Sequence, residues 1–312
     1  MKVFNSTNIS SKFKRSAIAI GNFDGVHTGH QKVFRHTKKI AKKNKIKFGV
    51  LTFAPLPIMF FNKKIKNFRL FSEDQKINIL KKSKVDFVIN IKFDKKFSQT
   101  SAQNFIKEII YKKIKSKFLT VSNNFRFGKN RTGDVNLLKK YSDKFNYHLI
   151  NIKPFKRLDK IVSSTKIRQC LKNGKVELAN KLLSRTWFID GYVIKGKRIG
   201  RELGYRTCNI KIKNYILPKA GIYAVKILIG NENAFYEGVS YLGTRPTFDG
   251  NEILLETNIF GINRNLYNKK LKIYFLKFLR KDQKFKNSEH LIRQMNKDVI
   301  SAKKGLKTKL VL

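Results

Sequence analysis

The chain has few of the residues that cross-link secreted domains or hold zinc. Its two cysteines, Cys170 and Cys208, are the whole supply in 312 residues. Two isolated thiols form neither a disulfide framework nor a zinc-binding spacing. This scarcity is typical of proteins from a reducing compartment, and we expect a cytoplasmic protein.

Long hydrophobic runs are also missing. The longest uncharged apolar stretch is residues 48–61, and Pro55 and Pro57 interrupt it. It is shorter than the roughly 18 residues that a membrane-spanning helix needs. Residues 1–16 contain no apolar block of the kind found in a signal peptide. We therefore expect no membrane partner.

Acidic residues are scarce. The chain has 20 of them and 69 lysines and arginines, which gives a net charge of +49. Such a balance often indicates a protein that binds nucleic acid. Here the lysines are spread over the whole chain beside abundant Asn, Ile and Phe, as a codon bias toward A and T produces. We interpret them as solvated surface lysines and expect no nucleic-acid partner. A surface that binds polyanions remains the alternative.

The first half of the chain alternates between strand and helix patterns. Between its apolar runs lie segments with helical spacing, such as Val33, Phe34 and Thr37, and a capping box formed by Ser72 and Gln75. Alternation of this kind predicts an α/β fold with a parallel sheet covered by helices on both faces. The strands are expected near residues 17–20, 48–53, 87–91, 118–121 and 147–152.

The pattern changes near Thr186, where short β-rich runs follow one another closely. We place a domain boundary here, with one domain over residues 1–185 and a second over residues 186–312. Closely spaced strands predict an antiparallel barrel or sandwich, followed by a C-terminal helix over residues 288–304. The expected strands are residues 187–194, 221–229, 236–241, 253–260 and 271–278.

The most informative segment is residues 20–30, where a predicted strand ends and a predicted helix begins. Its glycines allow a close approach of the backbone to a ligand, and the helix N-terminus presents free N–H groups to phosphate. His27 and His30 lie three residues apart across this turn. Both side chains are able to donate hydrogen bonds to the oxygens of a triphosphate as charge builds in the transition state.

This segment, with the sequence GNFDGVHTGH, resembles the H-x-G-H signature of nucleotidyltransferases. The sequence of this segment is similar to that of the bacterial bifunctional riboflavin kinase/FMN adenylyltransferase family. The resemblance continues to about residue 306, with the motifs in the same order as in the family. It implies phosphorylation of riboflavin to FMN by ATP, and adenylylation of FMN to FAD with release of pyrophosphate. It also implies a Rossmann-like nucleotidyltransferase domain followed by an antiparallel β-barrel flavokinase domain. The implied nucleotide-pocket residues are Gly21, Phe23, Asp24, His27 and His30.

Two further segments match the same adenylyltransferase half. The family places Asn124, in the loop after a predicted strand, in the adenylylation site. Ser163 and Ser164 open a predicted helix with Arg168 one turn later. Hydroxyl and N–H groups at a helix start, together with a basic side chain, suit a triphosphate, and the resemblance implies that this segment closes over ATP.

One loop departs from the family pattern. The family usually has F-E-P-H-P after the second strand, whereas residues 53–57 read F-A-P-L-P. Ala54 and Leu56 replace the acid and the histidine. We expect that any polar role of this loop is lost or has moved elsewhere.

The second half resembles the family's flavokinase domain. A glycine-bearing loop over residues 196–205 leads into Thr207 and Asn209, although Arg206 and Cys208 depart from the family's P-T-A-N. Two oxygen-bearing side chains two residues apart on a strand face the same side and suit Mg²⁺. The implied ATP-binding residues of the kinase are Gly196, Gly200, Arg201, Gly204, Thr207 and Asn209, with Thr207 and Asn209 also holding the metal.

Glu256 lies on an apolar predicted strand that follows the G-T-R-P-T-F sequence of residues 243–248. A carboxylate there is able to accept the proton of the attacking ribityl hydroxyl. In the adenylyl-transfer half no protein nucleophile is needed, because the FMN phosphate is already ionised and positioning carries the catalysis. The resemblance places four residues near the flavin: Arg280, Asp282, Gln283 and Phe285.

Three alternatives stay open at this stage. Because both halves depart from the family pattern, at Leu56, Arg206 and Cys208, one activity alone is a possible outcome. A nucleotidyltransferase for another acceptor is disfavoured by the kinase-like half. A basic nucleic-acid-binding protein requires clustered charge with exposed aromatic side chains, whereas the aromatic residues here have core-like spacing.

Overall fold

The computed structural model describes residues 1–65, 67–157, 160–196, 204–212, 214–247, 250–307 and 309–312. The chain divides into two compact units. The first contains residues 1–66 and 72–163, and the second contains residues 67–71 and 164–312. Within the described residues, no helix is both long enough and apolar enough to cross a membrane.

The first unit is built on a six-stranded sheet in which every neighbouring pair of strands is parallel. Its strand order is β1-β4-β3-β2-β5-β6, so the chain leaves the central β2 first to one side and later to the other. This order confirms the α/β class predicted from the alternating pattern. The strands are β1 Lys2–Phe4, β2 Ala17–Ile20, β3 Phe48–Ala54, β4 Phe87–Lys92, β5 Phe118–Ser122 and β6 His148–Ile152.

Helices connect these parallel strands. The predicted capping box is present, since Ser72 Oγ accepts from the Gln75 N–H at 3.2 Å and Gln75 Oε1 accepts from the Ser72 N–H at 2.9 Å. The helix expected after Ser101 begins as α-helix and continues as a π-helical segment over Phe105–Ile114. The α-helices of this unit are α1 Thr28–Lys43, α2 Pro57–Phe61, α3 Glu73–Lys82, α4 Lys95–Ser98, α5 Ala102–Asn104 and α6 Val135–Ser142.

Short elements complete the first unit. Two single 3-10 turns lie at Ser11–Phe13 and Lys129–Arg131. A small antiparallel pair, β7 Lys156–Arg157 with β8 Lys160–Ile161, leads to the end of the unit. The core between the central strands and the π-helical segment is aliphatic and aromatic, and includes Ile18, Leu51 and Ile106.

The second unit begins with helices α7 Ser164–Lys172 and α8 Val176–Leu183. It also includes residues 67–71, an excursion of the chain from the first unit. The Leu70 carbonyl accepts a 2.7 Å hydrogen bond from Trp187 Nε1, and Trp187 is fully buried. The excursion is thus anchored by the largest side chain of the second unit's core.

Six antiparallel strands close into a barrel in the order β10-β13-β12-β11-β14-β9, and β9 pairs with β10 to complete the ring. Closure confirms the predicted barrel and excludes the sandwich. The barrel interior is filled by alternate residues such as Ile189, Tyr223 and Phe275. The strands are β9 Phe188–Ile194, β10 Thr207–Lys211, β11 Gly221–Ile229, β12 Phe235–Thr247, β13 Gly250–Ile259 and β14 Lys270–Arg280.

The predicted C-terminal helix is present as α9, Ser288–Gly305. It packs on the outside of the barrel, where Ala302 joins a small cluster with Ala224 and Leu276. Asn287 caps its N-terminus by accepting from the His290 N–H at 2.9 Å. The helix therefore covers an apolar strip of β11 and β14 that water would otherwise contact.

Candidate functional site: a histidine turn and a barrel-face carboxylate

The turn that follows β2 lies at the centre of the parallel sheet. Gly21 follows the last residue of β2, and Ser122 ends the neighbouring β5. Connections from β2 and β5 leave the sheet on opposite sides of the crevice between these strands. In open parallel sheets, such a reversal at the carboxyl ends is where ligands bind. The fold therefore brings the histidine turn and the Asn124 loop to the same edge of the sheet.

The backbone of the turn has an unusual conformation. Phe23, Gly25 and Val26 have φ values of 48°, 83° and 41°, in the left-handed region that side chains with a Cβ adopt rarely. The Phe23 ring folds back over Gly21, and a Cβ at Gly21 would lie only 3.0 Å from it. Phe23 and Asp24 are both buried. The turn is therefore held by its own side chains, which gives it a fixed shape.

His27 is the N-cap of α1, and its side chain closes the helix. The imidazole Nδ1 accepts from the His30 N–H at 3.4 Å. Because Nδ1 is the acceptor, a neutral ring carries its proton on Nε2 and is able to donate from there. His27 is 4% exposed. The two imidazole rings stack with centroids 3.6 Å apart and an angle of 20° between their planes.

Gly29 makes room for this stacked pair. A Cβ at residue 29 would lie 3.1 Å from the His27 imidazole and 3.4 Å from the Val162 carbonyl oxygen. The chain that leads to Ser163 therefore passes beside the first turn of α1. The two histidines that the sequence placed in one site are in direct contact in the first unit, and their role in binding phosphate stays a prediction.

The Asn124 loop is ordered by polar contacts. Ser122 Oγ donates to Asn124 Oδ1 at 2.9 Å, and Asn123 Oδ1 accepts from Asn151 Nδ2 at 2.6 Å. Arg126 forms an ion pair with Asp134 at 3.1 Å. Asn124 itself is exposed, so the loop presents its amide at the carboxyl edge of the sheet.

Arg168 is placed by the excursion of residues 67–71. Its guanidinium carbon lies 3.7 Å from the centroid of the Phe68 ring, and its Nε donates to the Phe68 carbonyl at 2.9 Å. Stacking and hydrogen bonding together fix the plane of the guanidinium. Ser163 is the last residue of the first unit, and the longer segment of the second unit begins at Ser164, where α7 also begins.

Aromatic side chains occupy the region of the loop that departs from the family pattern. The Phe60 and Phe61 rings each contact Phe93, at centroid distances of 5.4 and 5.7 Å. Phe61 is 66% exposed. Sequence analysis missed this cluster, because the three phenylalanines come from α2 and from the residue after β4. The available sequence signal was the presence of phenylalanines in the segments that follow two predicted strands.

On the barrel, three polar residues form one row across adjacent strands. Two of them, Asn209 and Glu256, were predicted from the sequence, and Tyr241 was not. Asn209 of β10 is paired with Glu256 of β13, and Glu256 is paired with Tyr241 of β12. Directly paired residues have side chains on the same face of a sheet. The fully buried Ser240 and Thr257, one position away, point to the interior. The row therefore lies on the outer face of the barrel.

Asn209 is nearly buried, and its Oδ1 has no hydrogen-bond partner among the described residues. A Cβ at Gly196 would overlap the Asn209 amide, so the glycine is needed for the strand β9 end to pass this side chain. Thr207 lies two residues earlier on β10, on the same side. No group of three or more His, Cys, Asp or Glu side chains suited to a metal occurs in the described chain.

Tyr241 was not among the predicted site residues. Its hydroxyl donates to Asp282 Oδ2 at 2.9 Å, and its ring fills the space that a side chain at Gly243 would need. Burial, together with the negative charges of Asp282 and Glu256, raises the pKa of Tyr241 to about 12. Tyr241 therefore remains a protonated donor throughout the neutral range, next to Glu256.

The four residues predicted near the flavin lie together at the end of β14. Arg280 makes a two-pronged ion pair with Asp298 of α9, with distances of 2.8 and 2.7 Å. Its guanidinium lies 5.8 Å from the Phe285 ring, and the Gln283 N–H donates to Asp282 Oδ1. Arg280 therefore has a structural partner that the sequence did not indicate.

The remaining kinase predictions fall around the loop before β10. Gly200 and Arg201 lie outside the described residues. Gly204 has a φ of 82° with open space around it. Arg206, which departs from the family's P-T-A-N, donates to Asn263 Oδ1, and its carbonyl accepts from Asn258 Nδ2 at 2.8 Å.

A parallel α/β sheet with a histidine turn at its switch point, joined to a closed barrel with a polar row on its outer face, defines a two-domain nucleotide-dependent transferase. A family model for FAD synthetase matches residues 9–166, and one for riboflavin kinase matches residues 183–306. Together with the relatives below, these matches show that the chain belongs to the bifunctional riboflavin kinase/FMN adenylyltransferase family.

Curated proteins named bifunctional riboflavin kinase/FMN adenylyltransferase are similar over most of their length. One from Buchnera aphidicola subsp. Schizaphis graminum is 40% identical, with 95% of this chain and 96% of that protein covered. One from Escherichia coli strain K12 is 32% identical, with 92% and 91% covered.

A solved structure from Streptococcus pneumoniae superimposes with a TM-score of 0.85 at 27% identity, covering 96% of this chain and 98% of that one. Its title names a macrolide-efflux protein. That title differs from the names of the curated relatives and of both family models. Both halves of this chain match flavin-enzyme models. We therefore use that structure as evidence for the fold and not for the function.

Proposed function

We propose that the chain makes FAD from riboflavin in two steps and that the histidine turn catalyses the second. A phosphate oxygen of FMN attacks the α-phosphorus of ATP, the bond to the bridging oxygen breaks, and pyrophosphate leaves. The observation that carries this proposal is the stacked His27–His30 pair, which opens α1 at the sheet's switch point. Donors fixed at a helix N-terminus stabilise the charge that develops on the phosphates.

The other residues of this site have binding roles in the proposal. Gly21, Phe23 and Asp24 shape the nucleotide pocket through the fixed turn. Asn124 presents its amide beside the turn, and its rigid loop supports an orienting role. We assign Ser163, Ser164 and Arg168 to the phosphates of ATP, and Phe68 holds the Arg168 guanidinium flat.

The aromatic cluster around the exposed Phe61 supports a binding position for the flavin ring of FMN. Phe60, Phe61 and Phe93 lie at the carboxyl ends of β3 and β4. The ring system of a flavin is flat and presents two π faces, on which aromatic side chains stack. The polar residues missing from this loop are therefore replaced by stacking surface.

The barrel-face row supports the kinase step. We propose that Glu256 accepts the proton of the terminal ribityl hydroxyl of riboflavin while that oxygen attacks the γ-phosphorus of ATP, and ADP leaves. Tyr241 and Asn209 flank Glu256 on the neighbouring strands. General-base catalysis of this kind contributes about 10²–10⁴-fold. Near the flavin we place Arg280, Asp282, Gln283 and Phe285.

Asn209 and Thr207 fit a magnesium ion. The Asn209 Oδ1 is an orphaned, nearly buried oxygen, and an amide and a hydroxyl oxygen are hard ligands of the type that Mg²⁺ takes alongside substrate phosphates. When bound, the ion neutralises charge on the phosphates of ATP. The ATP-binding glycines are proposed to be Gly196 and Gly204, with Gly200 and Arg201 assigned from the family resemblance.

The functional division of the chain is proposed to fall at residue 185, with adenylyl transfer on residues 1–185 and kinase activity on residues 186–312. The structure groups α7 and α8 with the barrel unit, so Ser164 and Arg168 are assigned to one half by their proposed function and to the other by packing. A cytoplasmic location, with no nucleic-acid or membrane partner, completes the proposal.

The test is direct. Purified protein is incubated with riboflavin, ATP and Mg²⁺, and FMN and FAD are separated by chromatography. We expect both products, with FMN appearing first. FAD formed from supplied FMN, without any FMN formed from riboflavin at saturating ATP, would show that the kinase half is inactive and that one activity alone remains.

A further inference from the structure

A buried lysine lies behind the nucleotide turn. Lys76 of α3 is 4% exposed, and the contacts of its ammonium include Thr52 Oγ1 at 3.2 Å, the Phe53 carbonyl at 3.4 Å and Glu73 Oε1 at 2.9 Å. Burying an ammonium is costly unless it is paired and hydrogen-bonded. The transfer chemistry described above gives this charge no role.

Thr52 connects this lysine to the turn. The Gly21 N–H donates to the Leu51 carbonyl at 3.1 Å, as part of the β2–β3 pairing. At the next position the Thr52 hydroxyl donates to the Asn22 carbonyl at 3.1 Å. A side chain thus continues the pairing where the backbone of the turn departs from the sheet.

The ammonium fixes the direction of that hydroxyl. A threonine hydroxyl has one hydrogen to donate and two lone pairs, whereas an ammonium only donates. Since Lys76 occupies a lone pair of Thr52 Oγ1, the Thr52 hydrogen is directed to Asn22. Hydrogen bonds in such a chain polarise and strengthen one another in a water-free interior, and Thr52 is fully buried.

We propose that Lys76 and Thr52 are positioning residues for adenylyl transfer. They hold the Asn22 carbonyl, and through it the turn whose left-handed residues Phe23 and Val26 aim His27. Neither residue touches substrate in this proposal, which rests on the proposed adenylyl transfer at the histidine turn. A displacement of about 1 Å in a catalytic group costs on the order of 10²-fold in rate, so loss of the chain of hydrogen bonds is expected to slow FAD formation.

Two substitutions at one site separate positioning from packing. Thr52→Val keeps the shape and removes the donor, whereas Thr52→Ser keeps the donor and removes a methyl group. We expect Thr52→Val to lower kcat for FAD formation by about 10- to 10²-fold, with the KM for ATP changed less than about 3-fold. Thr52→Ser is expected to stay within about 3-fold of the unchanged chain in both constants.

Substitution of the lysine completes the test. Lys76→Met is expected to lower the same kcat by about 10-fold, and the double variant with Thr52→Val to fall little further, because residues in one hydrogen-bond network are not additive. Lys81→Met, an exposed lysine of the same helix, is the control and is expected to leave both activities unchanged. All rates are measured well below each variant's unfolding midpoint, with riboflavin phosphorylation recorded in parallel.

The outcomes are distinguishable. A Thr52→Val variant with unchanged kcat, or a Thr52→Ser variant slower than Thr52→Val, would overturn the inference whatever Lys76→Met does. If the unchanged chain makes no FAD from FMN, the proposed function itself fails. An unaffected Thr52→Val variant in a chain that makes FAD removes the positioning role alone.

Discussion

At the scale of single residues, the proposed adenylyl-transfer site contains two imidazole rings that stack on each other. His27 uses Nδ1 to cap α1 and stacks on His30. One side chain therefore caps the start of the helix and, in its neutral form, carries its proton on Nε2. A capping serine would close the helix equally well, but it would offer no donor beyond the cap.

Replacement of both histidines by alanine is expected to lower FAD formation by at least about 10²-fold, the scale of losing transition-state donors. The measurement is FAD formation from supplied FMN and ATP, with riboflavin phosphorylation by the same polypeptide as the internal control. His36→Ala, an exposed position on the same helix, is expected to behave like the unchanged chain. Persistence of FAD synthesis in the double variant would show that the site lies elsewhere.

Glu256→Gln is expected to lower FMN formation by about 10²–10⁴-fold, the usual cost of losing a general base, and to spare FAD formation from supplied FMN. Initial rates of both reactions are compared on one preparation. Glu237→Gln, an exposed glutamate on the neighbouring strand, serves as the matched control. An unchanged kinase rate in Glu256→Gln would mean that Glu256 is an ordinary strand residue.

At the scale of elements, α9 is attached to the barrel by one ion pair as well as by apolar packing. Asp298 is buried and accepts from Arg280 twice and from Gln294 once. Arg280 also contacts the segment that carries Asp282 and Phe285. The helix therefore supports the proposed flavin end of the kinase site from behind.

Asp298→Asn is expected to lower the free energy of unfolding by about 3 kcal/mol, because it leaves a largely buried guanidinium without its counter-ion. Glu289→Gln is the control on the same helix. It breaks the Glu289–Arg293 pair, whose side chains are 75% and 71% exposed, and should change stability by less than about 0.5 kcal/mol. Denaturant unfolding measures both, and equal effects in the two variants would contradict the assignment.

At the scale of the whole molecule, the charge of +49 is a property of composition. Lysines occur in both halves of the chain, for example Lys42 and Lys43 at the end of α1 and Lys303 and Lys304 at the end of α9. A charge distributed in this way attracts anionic substrates from solution. We predict that it does not form a single track for a polyanion backbone.

Binding to random duplex DNA is therefore expected to be weak at about 150 mM salt and to fall steeply as salt increases, as counterion release requires. Fluorescence anisotropy over a salt series provides the measurement, with FMN-to-FAD turnover followed in the same buffers. A sub-micromolar and sequence-selective affinity at that salt would establish a nucleic-acid surface and revive the alternative.

Patterns within about ten residues were sufficient for much of the fold. Periodic apolar residues predicted the parallel sheet, the Ser72 capping box and the C-terminal helix, because each depends on local propensity and on which face is buried. The edge strand β1 was missed, since three residues, Lys2–Phe4, carry too short a pattern. Closure of the barrel was left open, because it depends on pairing β9 with β10 over a gap in sequence.

Local sequence patterns were sufficient to propose the reacting and metal-binding groups and the turns that carry them: His27, His30, Glu256, and the Thr207 and Asn209 oxygens. The partners of the proposed groups became visible only in the folded chain. Tyr241 beside Glu256, Phe68 beneath Arg168, Asp298 against Arg280 and Lys76 behind Thr52 all come from distant parts of the chain. The physical reason is that such contacts depend on strand register and helix packing, which no local spacing encodes.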